Sequence, residues 1–238
     1  MIPVAVHGAE GRMGVLLSAM VEAAEDCDLV GRITEPGRGR DGLIGQESMA
    51  ATRPEGCVGI DFSLAPALAG LREAGRAWKA PLVIGTTGFS DRQEADLAAY
   101  ATEFPVVRAS NFSIGIPALS MLLKLLAKTL PGEFDAEQVE THHVTKLDKP
   151  SGTARSLAEE FGAVRGGDPV PTHSQRLGGV IGEHTWTFSD REETLVLTHR
   201  AHSRQAFTRG VLPSVRFVPG HAAGLFGLTD VLQELGGR

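Results

Sequence analysis

Apolar and polar positions alternate along this chain in a way that changes character once, near residue 112. The opening Val4-Ala5-Val6 is an apolar run too short for a helix, and it leads into a glycine-rich turn from Gly8 to Gly14. Behind the turn, Met13, Leu16, Leu17, Met20, Val21 and Ala24 recur at helical spacing, which predicts an amphipathic helix. A second strand is predicted from Leu29 to Thr34, with Glu35 at its end. Apolar strands then alternate with helical stretches, and three of them run into polar clusters. These are Gly59-Ile60-Asp61-Phe62-Ser63, Gly85-Thr86-Thr87-Gly88-Phe89 after Pro81 to Ile84, and Ser110-Asn111-Phe112-Ser113 after Val106 to Ala109. Beyond Phe112 come a long helix (Ile116 to Leu130), a strand carrying His142 and His143, and a helical pattern at Ala154, Leu157, Ala158 and Phe161. Two alternating strands, Gly182 to Asp190 and Thr194 to His202, flank a charged turn at Arg191-Glu192-Glu193. Ser203 to Val218 reads as helical, with a kink or break expected at Gly210 or Pro213. The final Gly-Leu-Phe-Gly-Leu-Thr-Asp-Val-Leu reads as a last helix.

The pattern predicts an α/β chain in two domains: an N-terminal Rossmann-like parallel sheet, and a second, antiparallel α+β domain. The first should comprise residues 1–112 and 218–238, the second 113–217. Strand, glycine turn, helix, strand and terminal acid, with Glu35 21 residues beyond Gly14, make a dinucleotide-binding unit. Glycines let backbone approach a pyrophosphate, and the acid accepts from a ribose diol. A tight turn without a ligand has the same local look. Glu10 is unusual in a phosphate loop, and its side chain is expected to point away from the phosphates. The three polar clusters should line one crevice at the strand C-termini, although each alone resembles an ordinary loop.

Glu140 to Ala154 reads E-T-H-H-V-T-K-L-D-K-P-S-G-T-A. Two histidines and a lysine precede a Ser-Gly-Thr turn that opens a helix, so proton donors stand next to free backbone N–H groups suited to a carboxylate. Singly, His142 or His143 looks like a structural histidine and Lys146 like a solvated charge; the joint spacing argues otherwise. In a regular strand, His142 and His143 would face opposite sides and Lys146 would lie about 13 Å from His142. The three share a pocket only if the strand ends or bends near Val144.

Composition narrows the partners. With 23 basic and 29 acidic residues the net charge is −6, which disfavours general nucleic-acid binding, though Arg32, Arg38 and Arg40 form a local basic patch. No signal peptide or membrane span is evident. Two scattered cysteines, Cys27 and Cys57, fit a reducing cytoplasm. The histidines lack metal-ligand spacing, so no metal is expected.

Taken together, E-x-H-x-x-x-K-x-D-x-P-S-G-T-A (Glu140, His142, Lys146, Asp148, Pro150 to Ala154), the Gly11-Arg12-Met13-Gly14 turn, D-F-S, G-T-T-G-F, N-F-S-x-G and the later Gly182-Glu183-His184 resemble the 4-hydroxy-tetrahydrodipicolinate (dihydrodipicolinate) reductase family over essentially the whole chain. The resemblance implies NAD(P)H-dependent reduction of a cyclic imine dicarboxylate in the diaminopimelate route to lysine. It implies that His142 donates the proton with Lys146 as catalytic partner, that His143 contacts substrate, and that Ser151, Gly152 and Thr153 bind a substrate carboxylate. The cofactor would lie along Gly8, Ala9, Glu10, Gly11, Arg12 and Met13 with Glu35. Gly85, Thr86, Thr87, Ala109, Ser110, Asn111 and Phe112 would stand near the nicotinamide, and His184 would support the site or its packing. A homotetramer is implied, formed through sheets of the second domain. Where NADPH-accepting members carry arginine after the acid, this chain has Pro36, which favours NADH unless Arg38 or Arg40 folds back onto a 2′-phosphate. The stretch between Glu35 and Asp61 is shorter than is usual for the family. Thr145 replaces a histidine there and Gln138 an aliphatic residue. The competing readings are a non-catalytic NAD(H)-binding regulator and another two-domain dehydrogenase acting on a sugar or amino acid.

Overall fold

The computed structural model describes residues 1–40, 42–48 and 56–236, so part of the shortened stretch, 49–55, and the C-terminal 237–238 lie outside the described residues. The chain divides into two compact units, Met1–Phe112 with Phe207–Arg238, and Ser113–Ala206.

The first unit begins β1 (Ile2–His7), α1 (Arg12–Glu22), β2 (Cys27–Thr34), β3 (Ile44–Gly45), β4 (Val58–Asp61), α2 (Leu68–Trp78), β5 (Leu82–Ile84), α3 (Asp91–Ala101) and β6 (Pro105–Arg108). The chain then builds the second unit from α4 (Gly115–Thr129), β7 (Asp135–His142), α5 (Gly152–Arg165), β8 (Thr172–Arg176), β9 (Gly182–Ser189) and β10 (Thr194–Ala201). It returns through α6 (Val211–Phe217), β11 (Gly224–Phe226) and α7 (Leu228–Gly236).

All pairings in the first sheet are parallel, in the order β11-β6-β5-β4-β1-β2-β3. Its central strands are apolar on both faces because helices cover both, as parallel sheets require. On β1, Val4 and Val6 join a core with Leu17, Val21, Val211 and Val215, while Ala5 faces the opposite core of Leu71, Trp78, Ile84 and Tyr100. The period-two alternation of a strand accounts for that division.

Two boundaries differ from the sequence reading. The return to the first unit comes at Phe207, not 218, because Val211, Val215 and Phe217 of α6 bury their apolar face in that unit's core. Backbone bonds fasten the return: Phe112 N–H donates to Phe207 O (3.3 Å) and Gly210 N–H to Phe112 O (2.8 Å). Gly210 is also where the helical run breaks, between a 3₁₀ turn at Arg204–Thr208 and α6. A Cβ there would meet Phe112 O at 2.9 Å and Leu228 Cδ1 at 2.7 Å, whereas Pro213 sits harmlessly in the first turn of α6. The final segment is not all helix. Gly224–Phe226 is an edge strand on β6, and α7 starts only at Leu228. A three-residue strand has no periodicity of its own to read, and it exists because the sheet edge offers it partners.

The second sheet runs β10-β9-β7-β8 and is mixed rather than antiparallel, since β8, which the sequence reading did not identify, pairs in parallel with β7. Trp186 and Phe188 of β9 alternate inward against Leu123 of α4 and Leu157 and Phe161 of α5. The unusual Gln138 is wholly buried, and its Nε2 donates to Ala154 O (3.0 Å) and Thr172 Oγ1 (3.1 Å), tying β7 to α5 and β8.

Candidate active site

In an open parallel sheet, ligands bind where the strand order reverses, here between β1 and β4. The two strands end in register at His7 and Asp61. Both are buried, with His7 Nδ1 2.7 Å from Asp61 Oδ1, and the same oxygen accepts from Ser63 N–H (3.2 Å) and Ser63 Oγ (2.5 Å). The D-F-S cluster is thus fixed in the floor of a cavity of about 650 Å³ lined by His7, Gly8, Glu10, Gly11, Glu35 and Phe62, among others. Gly8 has φ +80°, and a Cβ on it would meet Phe62 O at 2.8 Å; one on Gly14 would meet Gly8 O at 2.1 Å. These two glycines let the loop lie flat on β4 and on the first turn of α1. No side chain caps α1, so its amino end keeps unsatisfied N–H groups suited to a phosphate.

Of the residues expected to bind cofactor, Gly8, Glu10, Gly11 and Glu35 line this cavity. Ala9 is buried, Arg12 is exposed at the start of α1, and Met13 packs into the core. Gly85 packs under the Phe62 ring, and Thr86 Oγ1 is buried with no partner among the described residues, an orphan that a ligand amide suits. Thr87 and Ser110 are exposed, and Ala109 and Asn111 half-buried, after β5 and β6. Phe112 is placed otherwise than expected. It is fully buried against Phe62, its N–H donates to Phe207 O and its carbonyl accepts from Gly210 N–H, so only that carbonyl's second lone pair remains for a ligand.

Glu10 does not simply point away. It accepts from the Thr34 hydroxyl and from Arg40, at the ribose end of the loop. Arg38 Nε lies 3.1 Å from Glu35 Oε2. Arg32 pairs with Glu22, so each of the three guanidinium groups of the basic patch has a carboxylate; Glu10 and residues 37–40 line a hollow of about 380 Å³.

In the second unit, β7 ends at His142, where the sequence reading required an irregularity. Val144 N–H donates to Gly178 O (3.2 Å) and Lys146 N–H turns back to His143 O (3.1 Å). Glu140, two residues before His142 and hence on its face, is 0% exposed. It takes the His142 Nδ1 contact, accepts from Ser151 N–H (3.3 Å), and pairs with Arg176 Nη2 at 2.8 Å. Burial pushes the Glu140 carboxyl up, but hydrogen bonds from Arg176, Ser174 and His142 outweigh it and hold it at about 2. With Nδ1 on Glu140, His142 presents Nε2 for proton exchange. Burial lowers the His142 pKa, Glu140 opposes that, and the nearby positive charges of Lys146 and Arg176 lower it further. His184, 3% exposed, sets its ring edge-on to His142 at 5.4 Å, and burial above all pushes it down to about 4.

The substrate residues are brought together unevenly. Lys146 is near enough to influence His142 and pairs with Asp148 at 2.9 Å. His143 is turned to Thr145 Oγ1 (2.7 Å). Ser151 departs from its expected role. Its hydroxyl caps α5 by accepting from Ala154 N–H (3.2 Å) and it is buried, so it shapes the turn instead of facing a ligand. Gly152 and Thr153 start α5, and a Cβ on Gly152 would meet nothing closer than Arg155 Nη2 at 3.9 Å, so open space adjoins the turn. Asp148 accepts from Gly152 N–H and is held below its usual range, burial being outweighed by Lys146, so a carboxylate of the chain's own sits at the turn. The sequence reading quoted Glu140 without a role and passed over Arg176. The two-residue offset from His142 could have flagged the first. Only the pairing of β7 with β8 reveals the second.

A switch-point cavity suited to a dinucleotide, together with a buried acid–histidine pair able to exchange a proton, fits the class of pyridine-nucleotide-dependent oxidoreductases. Two family models match, dihydrodipicolinate reductase, N-terminus, over residues 2–112, and dihydrodipicolinate reductase, C-terminus, over residues 115–232. The chain belongs to the dihydrodipicolinate reductase family. It is 37% identical to a 4-hydroxy-tetrahydrodipicolinate reductase of Anaeromyxobacter sp. (strain Fw109-5), covering 98% of each chain. It is 40% identical to one of Stenotrophomonas maltophilia (strain R551-3), covering 96% of each. Among solved structures it resembles the dipicolinate-bound dihydrodipicolinate reductase from Paenisporosarcina sp. TG-14, with TM-score 0.81 and 26% identity over 97% of this chain and 99% of that one.

Proposed function

We propose that the chain reduces 4-hydroxy-tetrahydrodipicolinate to tetrahydrodipicolinate, with the 4-hydroxyl leaving as water, in diaminopimelate and lysine biosynthesis. The observation that carries the site assignment is the buried Glu140–His142 pair with Lys146 and the amino end of α5 in the same unit. Unit 1 would hold the nucleotide, with its phosphates at Gly8 to Met13 and a ribose diol at Glu35. The bound nicotinamide supplies the hydride. His142 Nε2 delivers the proton, Glu140 keeps the imidazole oriented, and Lys146 neutralises developing or carboxylate charge. The amino end of α5 at Gly152 and Thr153, with His143, holds the dicarboxylate, Asp148 yielding the Gly152 N–H to it.

Of the two nucleotides the residues favour NADH. Glu35 repels a 2′-phosphate, Pro36 has no N–H to offer it, and Arg38 and Arg40 are each paired with a carboxylate. Cytoplasmic location and a homotetramer belong to the same reading, with Leu195 and Val196 of β10 giving the second sheet exposed apolar surface. Among the described residues no helix is long and apolar enough to cross a membrane. The intact proton-donating set speaks against a non-catalytic regulator. The test is NADH oxidation with enzymatically generated substrate: His142→Gln or Lys146→Ala should lower kcat by about 10²-fold or more and leave NADH affinity nearly intact. Wild-type turnover in both would refute the site, and collapse of NADH affinity would refute the division of labour between the units.

A further inference from the structure

We propose that Arg176, through Glu140 and the main chain after β7, is the positioning residue that brings Lys146 to the site. The inference rests on the roles given above to His142 and Lys146. Arg176 lies on β8 opposite His142 in the parallel register, and its side chain is only 7% exposed. A guanidinium has five N–H donors, and here they serve five acceptors. Nη1 donates to Glu140 Oε2 (3.0 Å) and Gln175 O (2.6 Å), Nη2 to Glu140 Oε1 (2.8 Å) and Asp148 O, and Nε to Lys146 O (3.1 Å).

Glu140 and Gln175 belong to the paired strands β7 and β8, whereas Lys146 and Asp148 belong to a piece of chain that no β-ladder joins to them. Strand β7 stops at His142, and residues 143–149 leave the sheet. Apolar packing does not hold that segment, because its only apolar side chains, Val144 and Leu147, are 62% and 94% exposed. Its carbonyls at Lys146 and Asp148 turn inward and need donors. Arg176 supplies them while its other edge grips the carboxylate that orients His142. Lysine has the same charge but concentrates its donors at one point, so it cannot span a carboxylate and two separate carbonyls. The charged and titratable groups around the guanidinium are Glu140 and His142, with Lys146 and Asp148 reached through their carbonyls.

The test uses the full-length enzyme with NADH and its substrate, and four variants: Arg176→Lys, Arg176→Ala, Lys146→Ala and the Arg176→Lys/Lys146→Ala double. Arg176→Lys should lower kcat about 30-fold while KM and NADH affinity change less than about threefold. Its pH profile should keep the wild-type shape, because a positive charge still faces Glu140. In the Lys146→Ala background the same change should cost less than about threefold, since the group it positions is gone. Added guanidinium should restore Arg176→Ala about tenfold. Wild-type kcat in Arg176→Lys, equal losses in both backgrounds, or unfolding that guanidinium does not reverse would overturn the proposal. Lys146→Ala turning over at the wild-type rate would sink the assignment of Lys146, and this proposal with it. A crippled Lys146→Ala beside an indifferent Arg176→Lys would sink the positioning role alone.

Discussion

Replacing Glu140 by glutamine tests the centre of the site with almost no change of shape. The variant keeps the volume and one carbonyl acceptor, but leaves the Arg176 guanidinium buried without its counter-charge. In the native state the carboxyl is held at about 2 against an ordinary 4.5. A depressed acid stabilises the fold fully above its unfolded pKa and loses that contribution as pH falls through the folded one. The window therefore runs from pH 4.5 down to about 2, and at neutral pH the contribution is about 3 kcal/mol, at 1.36 kcal/mol per unit. Glu140 is 0% exposed, and the figure is of the order of the ~3–5 kcal/mol lost on breaking a buried ion pair. Urea unfolding at pH 7 should show a deficit of that order in Glu140→Gln, shrinking as pH falls below 4.5. The imidazole also loses the charge that favours its protonated form and fixes its orientation. We expect kcat to fall by about 10²-fold, within the range for a displaced general acid, with NADH affinity preserved. A variant as stable and as active as the parent would refute both the stability argument and the orienting role.

Two further predictions concern other parts of the molecule. Glu10→Ala should release Arg40 into the hollow at residues 37–40 and raise affinity for NADPH and for 2′,5′-ADP by about tenfold, leaving NADH within about threefold; calorimetry showing no gain for 2′,5′-ADP would rule out Glu10 as the residue that withholds the cation. His184, pushed from 6.5 to about 4, stays neutral in the fold while the unfolded chain takes up a proton, so stability should fall by about 3 kcal/mol as pH drops from 6.5 to 4. His184→Gln should flatten that slope in denaturant titrations, and an unaltered slope would place the acid sensitivity elsewhere.

Some of this was legible in the residues alone. The strand, glycine turn and helix at Val4 to Ala24 announce themselves because both periodicities are local and Gly8 and Gly14 stand where a Cβ does not fit. The run from Glu140 to Ala154 is legible for a related reason: its turn is written in Pro150, Ser151 and Gly152, and the requirement that the strand break follows from strand geometry alone. Ser151 was legible as a residue of the turn but not as its cap. That role depends on a hydroxyl angle that chain spacing does not express.

Tertiary structure decided what no window of sequence contains. Gly224–Phe226 is a strand because β6 has an open edge, and α6 belongs to the first unit because its apolar face is buried in that unit's core. Arg176 meets Glu140 across 36 residues of chain, through a parallel pairing made by β7 and β8 around α5. Sequence by itself determined the chemistry available, acids, imidazoles and a lysine at fixed spacing, because spacing is covalent. Which partner each group takes, and so which proton each holds, was left to the fold, because burial and charge proximity are properties of three dimensions.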